Sequence, residues 1–479
     1  MFRLGSTSTK VAAATRRTML RYRPAGIESS EAAAAAAAAS SASPVATQAL
    51  ESQMQMQLQL RSFSSTPRSL EKGTSLYTWG TNNSGSLLQG DDANSKIDSK
   101  GILWEPHLAA CAGDLDSEVA HVWCGHQEVL LITEEGTAWV AGENKYGQLG
   151  LGHQDPVPAL TRVEVDGVDR FVSGKIGMST GALVAENGDL YTFGFGGSTL
   201  KGVGCLGHGD VESYRTPKLV ESLVEDGCRV ADVTLGESHT AVLTTEGEVL
   251  TTGASNYGRL GNAETSEDNL YFDAVEILPT ETVAQIAGGE SFTLALTEEG
   301  IVYGWGKNAK GQLGTGFGMA VDMYAMADVP TPIEGDELSN RKVTKIAAGT
   351  NHSACVTSSG ELFWWGVNLH LEPYRVAEVL HTKIVDVACG LDYTLALSED
   401  GDVYVWGFGK TGVLGSGPDT TTLHQAKRIP LFLTPSLDGE DNIDNNNNSN
   451  NTAGEKESNR EIVTLSAGCN LAACLVRES

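Results

Sequence analysis

Three groups of residues have types and spacings that could do chemistry. Gly177-Met178-Ser179-Thr180-Gly181 has the Gly-x-Ser-x-Gly spacing of a nucleophile elbow. That motif lifts its serine toward an oxyanion hole only where a strand enters a sharp turn and leaves as a helix. Here a strand pattern, Ala182 to Ala185, and a hairpin glycine follow instead. Gly409-Lys410-Thr411 ends like a phosphate-binding loop, but the motif's first glycine would fall on Tyr404 and no helix pattern follows. The eight cysteines contain no Cys-x-x-Cys pair, and the ten histidines, His121, His126, His153 and His208 among them, lack zinc spacing. Small buried thiols are the expectation, with no metal and no cofactor. Bond-making catalysis is not expected.

The elements that hold these residues are copies of one unit, seen best from Ile384 to Gly407. Ile384 to Ala388, Tyr393 to Leu397 and Val403 to Val405 are short runs rich in β-branched and aliphatic residues, suited to neighbouring antiparallel strands. Asp400-Gly401 supplies the hairpin between the last two. Paired glycines eleven apart recur at Gly125/Gly136, Gly177/Gly188, Gly236/Gly247, Gly289/Gly300, Gly349/Gly360 and Gly390/Gly401, and a seventh copy begins at Ile462, Leu465 and Gly468. Third strands close on Gly80, Gly142, Gly194, Gly253, Gly306, Gly366 and Gly407. Leu76 to Gly80 is a third strand without a first and second before it, which the C-terminal half-copy complements. Seven such repeats predict an all-β, seven-bladed β-propeller from about residue 72 to 479, closed by pairing of its terminal half-blades.

Residues 1–70 hold eight Lys/Arg (Arg3, Lys10, Arg16, Arg17, Arg21, Arg23, Arg61, Arg68) against Glu28, Glu31 and Glu51, with much Ser and Ala. This Arg-rich, acid-poor composition predicts a mitochondrial transit peptide cleaved near Phe63/Ser64 and a matrix or inner-membrane-associated protein. A disordered leader without an address is the alternative. The remainder keeps 33 − 8 = 25 bases and 61 − 3 = 58 acids, a charge that repels nucleic-acid backbones. DNA is not an expected partner, while structure-specific RNA contact stays open. No apolar run approaches the ~20 residues of a membrane span.

Departures from the repeat mark candidate sites. Most copies follow the third strand with a loop bearing glycines five and eight later, as at Gly142, Gly147 and Gly150, with Asn144, Asn256 and Asn308 read as turn residues. The third copy enlarges this loop, from Gly194 to Gly207, and the sixth drops it. Two excursions stand out, Thr315 to Arg341 and Leu433 to Arg460; the second is expected to be disordered. In the first, Met319, Met323 and Met326 lie at helical spacing with Tyr324. They form either an adaptable secondary partner surface or a cap on the neighbouring blade.

The run Val230 to Leu235, then Gly236-Glu237-Ser238-His239-Thr240, with Trp-Gly strands and the turns Gly147-Gln148-Leu149-Gly150 and Gly311-Gln312-Leu313-Gly314, resembles the regulator of chromosome condensation family over about residues 72–479. With its leader the chain is most similar to the mitochondrial branch, the homologues of the Williams-Beuren syndrome region RCC-like protein. WD repeats lack this grammar, and the Gly-Trp-Arg-His-Thr turns of the plant UV-B photoreceptor are absent. The resemblance implies a guanine-nucleotide exchange factor or regulator of a mitochondrial GTPase, including the dynamin-like inner-membrane fusion GTPase, or alternatively a non-catalytic scaffold for mitochondrial ribosome assembly or rRNA maturation. It also implies a wedge after the third copy's Trp-Gly position, here Gly196 to Gly204, offering Ser198, Thr199, Leu200, Lys201 and Val203 to a partner. The adjoining turn supplies Glu237 and His239, whereas the earlier turn, Met178-Ser179-Thr180, has no acid.

Overall fold

The computed structural model describes residues 73–89, 96–109, 115, 117–198, 202–263, 265–275, 281–318, 325–429, 431 and 460–478. The expected transit peptide and the expected disorder after Leu433 lie outside them. The described residues form seven four-stranded antiparallel sheets and one two-stranded hairpin, all within the unit Lys72–Ser479. Blades 2 to 7 run in chain order over 119–163, 171–219, 230–274, 283–332, 343–375 and 384–429. Blade 1 is composite: its inner and second strands are Arg460–Ala467 and Leu471–Glu478, and its third and outer strands are Thr74–Thr81 and Ile102–Leu108. Thr74 to Gly80 pairs with Arg477 to Leu471 in unbroken register. The predicted closure is present, and neighbouring inner strands touch in a complete cycle.

The repeated glycine and the residue three after it are explained by close packing. The glycine opens the turn between the inner and second strands, and the side chain three later folds back over it. A Cβ on Gly289 would overlap the Phe292 ring, and one on Gly236, Gly349 or Gly390 would overlap His239, His352 or Tyr393. Gly177 differs, because Thr180 is small and the nearest atoms lie at 3.5 Å. Gly289→Ala is therefore expected to cost about 2 kcal/mol through overpacking, and Gly177→Ala to cost almost nothing. Paired chemical denaturation curves check this; equal losses would contradict it.

The ring side chains also join blades. His239 Nε2 lies 2.9 Å from Thr293 Oγ1 in the next blade, His352 Nε2 lies 3.0 Å from Thr394 Oγ1, and the Tyr393 hydroxyl donates to the Leu471 carbonyl at 2.8 Å. A second link uses the Gly-x-Leu-Gly turn. Indole N–H groups of Trp79, Trp305 and Trp365 donate to the carbonyls of Val413, Arg259 and Gln312 on the preceding blade, at 2.8, 3.1 and 2.9 Å. The last glycine of each turn leaves room for that indole; a Cβ on Gly261 or Gly314 would sit 2.8 Å from it.

The apolar core is divided among the blade boundaries. Leu130, Val140, Leu183 and Phe193 fill the one between blades 2 and 3. Phe292, Leu313, Phe363 and Trp365 fill the one between blades 5 and 6, and Leu395, Leu414, Cys474 and Trp79 the one between blades 7 and 1. Each inter-blade layer is closed off from the next by a sheet.

One sequence expectation needs correction and another needs refining. The excursion Thr315 to Arg341 contains the outer strand of blade 5, Met326–Pro332, so Met326 opens a strand instead of extending a helical stripe. Met319, Met323 and Tyr324 lie outside the described residues. Asn256 is a turn residue as expected, in Asn256–Gly258, but it does not repeat the bond made by Asn144 and Asn308. Asn144 Oδ1 and Asn308 Oδ1 accept from Leu149 and Leu313 N–H groups at 3.0 and 2.9 Å, whereas Asn256 lies one place later and gives its carbonyl to Arg259 Nε.

Candidate functional site

The turns between inner and second strands and the loops after third strands share one face of the ring, where blade 3 carries its insertion. There Gly197–Ser198 and Gly202–Val203 pair as an antiparallel hairpin, Gly197 opposite Val203 and Ser198 opposite Gly202. Ser198 is half-buried. Thr199, Leu200 and Lys201 lie outside the described residues, as does the Val203 side chain.

The base of this hairpin is firmly held. Phe195 N–H donates to Ser179 O at 2.8 Å, Gly204 N–H to Gly196 O at 2.9 Å, and Gly196 N–H to Ser213 Oγ at 3.2 Å. Blade 4 holds the other side, with the Thr252 hydroxyl donating to Gly204 O at 3.0 Å and the Thr240 hydroxyl to Cys205 O. Gly196 is a position of close approach, since a Cβ there would collide with the Glu212 carbonyl. The insertion is therefore a hairpin on a braced base that spans the boundary of blades 3 and 4.

The same face carries an acidic pair on blades 4 and 5. Glu237 N–H donates to the Glu290 carbonyl at 2.9 Å, which brings the Gly-Glu-Ser turns of blades 4 and 5 together. Burial raises the Glu290 carboxyl pKa, and its hydrogen bond to the Glu237 carboxyl acts in the same direction, while Lys307 opposes both. Arg259, 4% exposed, faces both acids electrostatically, and burial holds its guanidinium below its ordinary value. Its charge centre lies 5.5 Å from the Tyr257 ring, and Lys307 Nζ lies 5.4 Å from the same ring. Tyr257 is 47% exposed and takes a left-handed φ of 64°.

His239 is positioned differently from the sequence expectation. It is 1% exposed, and burial holds its pKa at about 3 with the Arg259 charge adding to the effect. A neutral ring bonded to Thr293 joins two blades and presents nothing to a partner. Glu290, Arg259, Tyr257 and Lys307 were not singled out from sequence. Gly289-Glu290-Ser291 repeats Gly236-Glu237-Ser238, and that signal was available; Arg259 was hidden because it occupies the Gln position of the Gly-Gln-Leu-Gly turn. The elbow-like serine, Ser179, sits in a turn leading into the strand Thr180–Ala185.

Comparison with known proteins agrees with this architecture. The regulator of chromosome condensation (RCC1) repeat matches residues 187–243, 246–296 and 299–356, and a second description of the same repeat matches 230–259, 283–312 and 384–412. The Arabidopsis thaliana ultraviolet-B receptor UVR8 is 31% identical over 62% of this chain and 61% of its own. A Bos taurus secretion-regulating guanine nucleotide exchange factor is 34% identical over 49% of this chain and 48% of its own. The chain thus spans less than two thirds of these relatives. Among solved structures, human WBSCR16 superposes with a TM-score of 0.67 at 20% identity, over 85% of this chain and 99% of that one.

Proposed function

Because the chain belongs to the regulator of chromosome condensation repeat family, we propose that it regulates a GTPase by guanine-nucleotide exchange, through the face that carries the 197–203 hairpin. The observation that carries this reading is that the hairpin's base is bonded to Thr240 of blade 4, three residues on from Glu237 of the Glu237/Glu290 pair. Exchange requires no bond-making group; the regulator must bind the empty GTPase better than the loaded one, and that difference sets how far nucleotide is displaced. A hairpin rooted on a fixed base is presented to a partner's cleft from a set position. Two carboxylates that meet at the mouth form a ready partner for a lysine released from phosphate. The acid absent from the Met178-Ser179-Thr180 turn is supplied from the other direction, by Glu290. The named activity of the bovine relative supports the same reading.

The Arg-rich leader supports a mitochondrial setting, with the dynamin-like inner-membrane GTPase as the first target to assay. The test is nucleotide release from that GTPase, loaded with a fluorescent GDP. Glu237→Gln with Glu290→Gln, and separately Leu200→Gly with Lys201→Gly, are each expected to slow stimulated release by about tenfold. Unchanged rates from folded variants would remove the exchange reading and leave the scaffold in ribosome assembly or rRNA maturation.

A further inference from the structure

The outer strand of blade 6, His370–Arg375, is reached from Gly366 through a tight turn closed by Leu369 N–H on Gly366 O at 2.9 Å. With the usual loop dropped, Leu369 stands 66% exposed at the head of that strand. Two segments of the neighbouring blade rest on the same strand: the loop after blade 5's third strand and the turn that follows its outer strand. Gly316 N–H donates to Leu371 O at 2.9 Å, a Cβ on Gly316 would sit 3.0 Å from Glu372 Oε1, and one on Gly335 would sit 3.2 Å from Pro373 Cδ. These approaches enclose a groove of about 440 Å³ between Gly316, Asp336 and Glu337 on one side and Leu369 to Tyr374 on the other.

Both walls are held in place. Leu338 and Ser339 N–H groups donate to Gly335 O at 3.0 and 2.9 Å, and Leu338 is buried in the layer between blades 5 and 6, which anchors the turn that carries Asp336 and Glu337. The opposite wall is aromatic. His370 and Tyr374 rings stack at 4.1 Å with 4° between their planes, and Trp364 packs edge-on against His370. Tyr374 is nevertheless 43% exposed, so the stack turns one ring face outward. The lining holds three carboxylates, those of Asp336, Glu337 and Glu372, and no lysine or arginine. None of the three forms an ion pair among the described residues. Arg341 and Arg375 are engaged elsewhere, on Glu361 at 2.8 and 2.7 Å, and burial holds His370 below its ordinary value, so its ring is neutral.

We propose that this groove docks an extended segment of another protein that places an arginine between Glu337 and Glu372, over the Tyr374 ring, and an apolar side chain on Leu369. Charge complementarity selects a cation, because three carboxylates without an ion pair attract one and repel an acidic segment. The aromatic face selects arginine over lysine, since a planar guanidinium stacks on a ring and bonds a carboxylate through two N–H groups at once. Spacing follows from the strand. At a rise of about 3.3 Å per residue, Leu369 and Tyr374 stand roughly 17 Å apart, so the partner's apolar residue and its arginine are separated by about four positions. The groove belongs to blades 5 and 6, away from the insertion braced between blades 3 and 4, and does not depend on the exchange reading.

The probes are two dye-labelled, amidated peptides, Gly-Leu-Ser-Gly-Ser-Arg-Gly and the same residues in reverse order, titrated with the full chain and followed by fluorescence anisotropy. At least one is expected to bind saturably, and its citrulline-for-arginine version to bind not at all. Glu337→Gln with Glu372→Gln should weaken binding about tenfold. Tyr374→Leu should weaken the arginine peptide about threefold and leave a lysine version unaffected. All three side chains are exposed, so these variants keep the fold, and their denaturant midpoints check it. Failure of both peptides to saturate overturns the proposal. So does a citrulline peptide that binds as well as the arginine one, or binding that Glu337→Gln with Glu372→Gln leaves unchanged. Self-association of the chain that the same double substitution abolishes would assign the groove to a second copy and overturn it as well.

Discussion

Removing residues 462–479 is expected to abolish the cooperative unfolding transition. The deletion takes away the second strand of blade 1, on which Thr74 to Gly80 is paired throughout, and nearly all of its inner strand. It strips Ile462, Leu465, Ala472, Cys474 and Val476 from the layer shared with blade 7, and Ala473 and Leu475 from the layer shared with blade 2. At about 1.5–3 kcal/mol for each larger aliphatic side chain, the loss is on the order of the whole stability of a typical protein. The Thr74–Thr81 strand would also lose the partner on one of its edges. Calorimetry of the truncated chain checks this, and a melting transition like that of the full chain would contradict closure as the source of stability.

The second large effect depends on pH. Glu128 holds the position that His239, Phe292, His352 and Tyr393 hold in other blades, and it is 1% exposed. Its carboxylate accepts from Gln127 N–H at 2.9 Å and Gln148 Nε2 at 3.0 Å. Burial outweighs these bonds and raises its pKa to about 7. The folded protein therefore binds a proton that the unfolded chain releases near 4.5, and stability falls as pH rises from there through 7. Glu128→Gln is expected to leave stability at pH 4.5 nearly unchanged and to raise it by about 3 kcal/mol at pH 8. Buried His239 and His352, held at about 3 and 4 mainly by desolvation, act on the other limb. Their folded pKa values are depressed, so the stability of their neutral forms is lost as pH falls below 6.5. Denaturant midpoints of wild type and Glu128→Gln across pH 4–8 test the carboxylate; parallel profiles would contradict it.

Glycine periodicity made the ring legible in the sequence because packing demands those glycines: Gly289 has no room for a Cβ beside Phe292. Inner, second and third strands were found for the same reason. Outer strands were harder to read. Met326–Pro332 has an exposed edge, tolerates Pro330 and Pro332, and buries no continuous apolar face, so its methionine suggested a helix. Partners across blades were also hidden, because His239 and Thr293 are 54 positions apart and neither residue type announces the other. At the candidate site the insertion was visible as extra glycines. Its braced base was not, since that depends on backbone groups such as Ser179 O and on Ser213 Oγ.

The division of the apolar core into separate layers bears on how such a chain can change over generations. With no common centre, a substitution at Leu183 is felt by blades 2 and 3, and one at Phe363 by blades 5 and 6. Losses at such distant boundaries should add, whereas losses within one boundary should couple. Each boundary is then free to drift on its own account. A hairpin can be inserted between blades 3 and 4 and a turn deleted between blades 6 and 7 without either event constraining the other. Novelty in this ring is acquired one boundary at a time, while the remaining boundaries keep it closed.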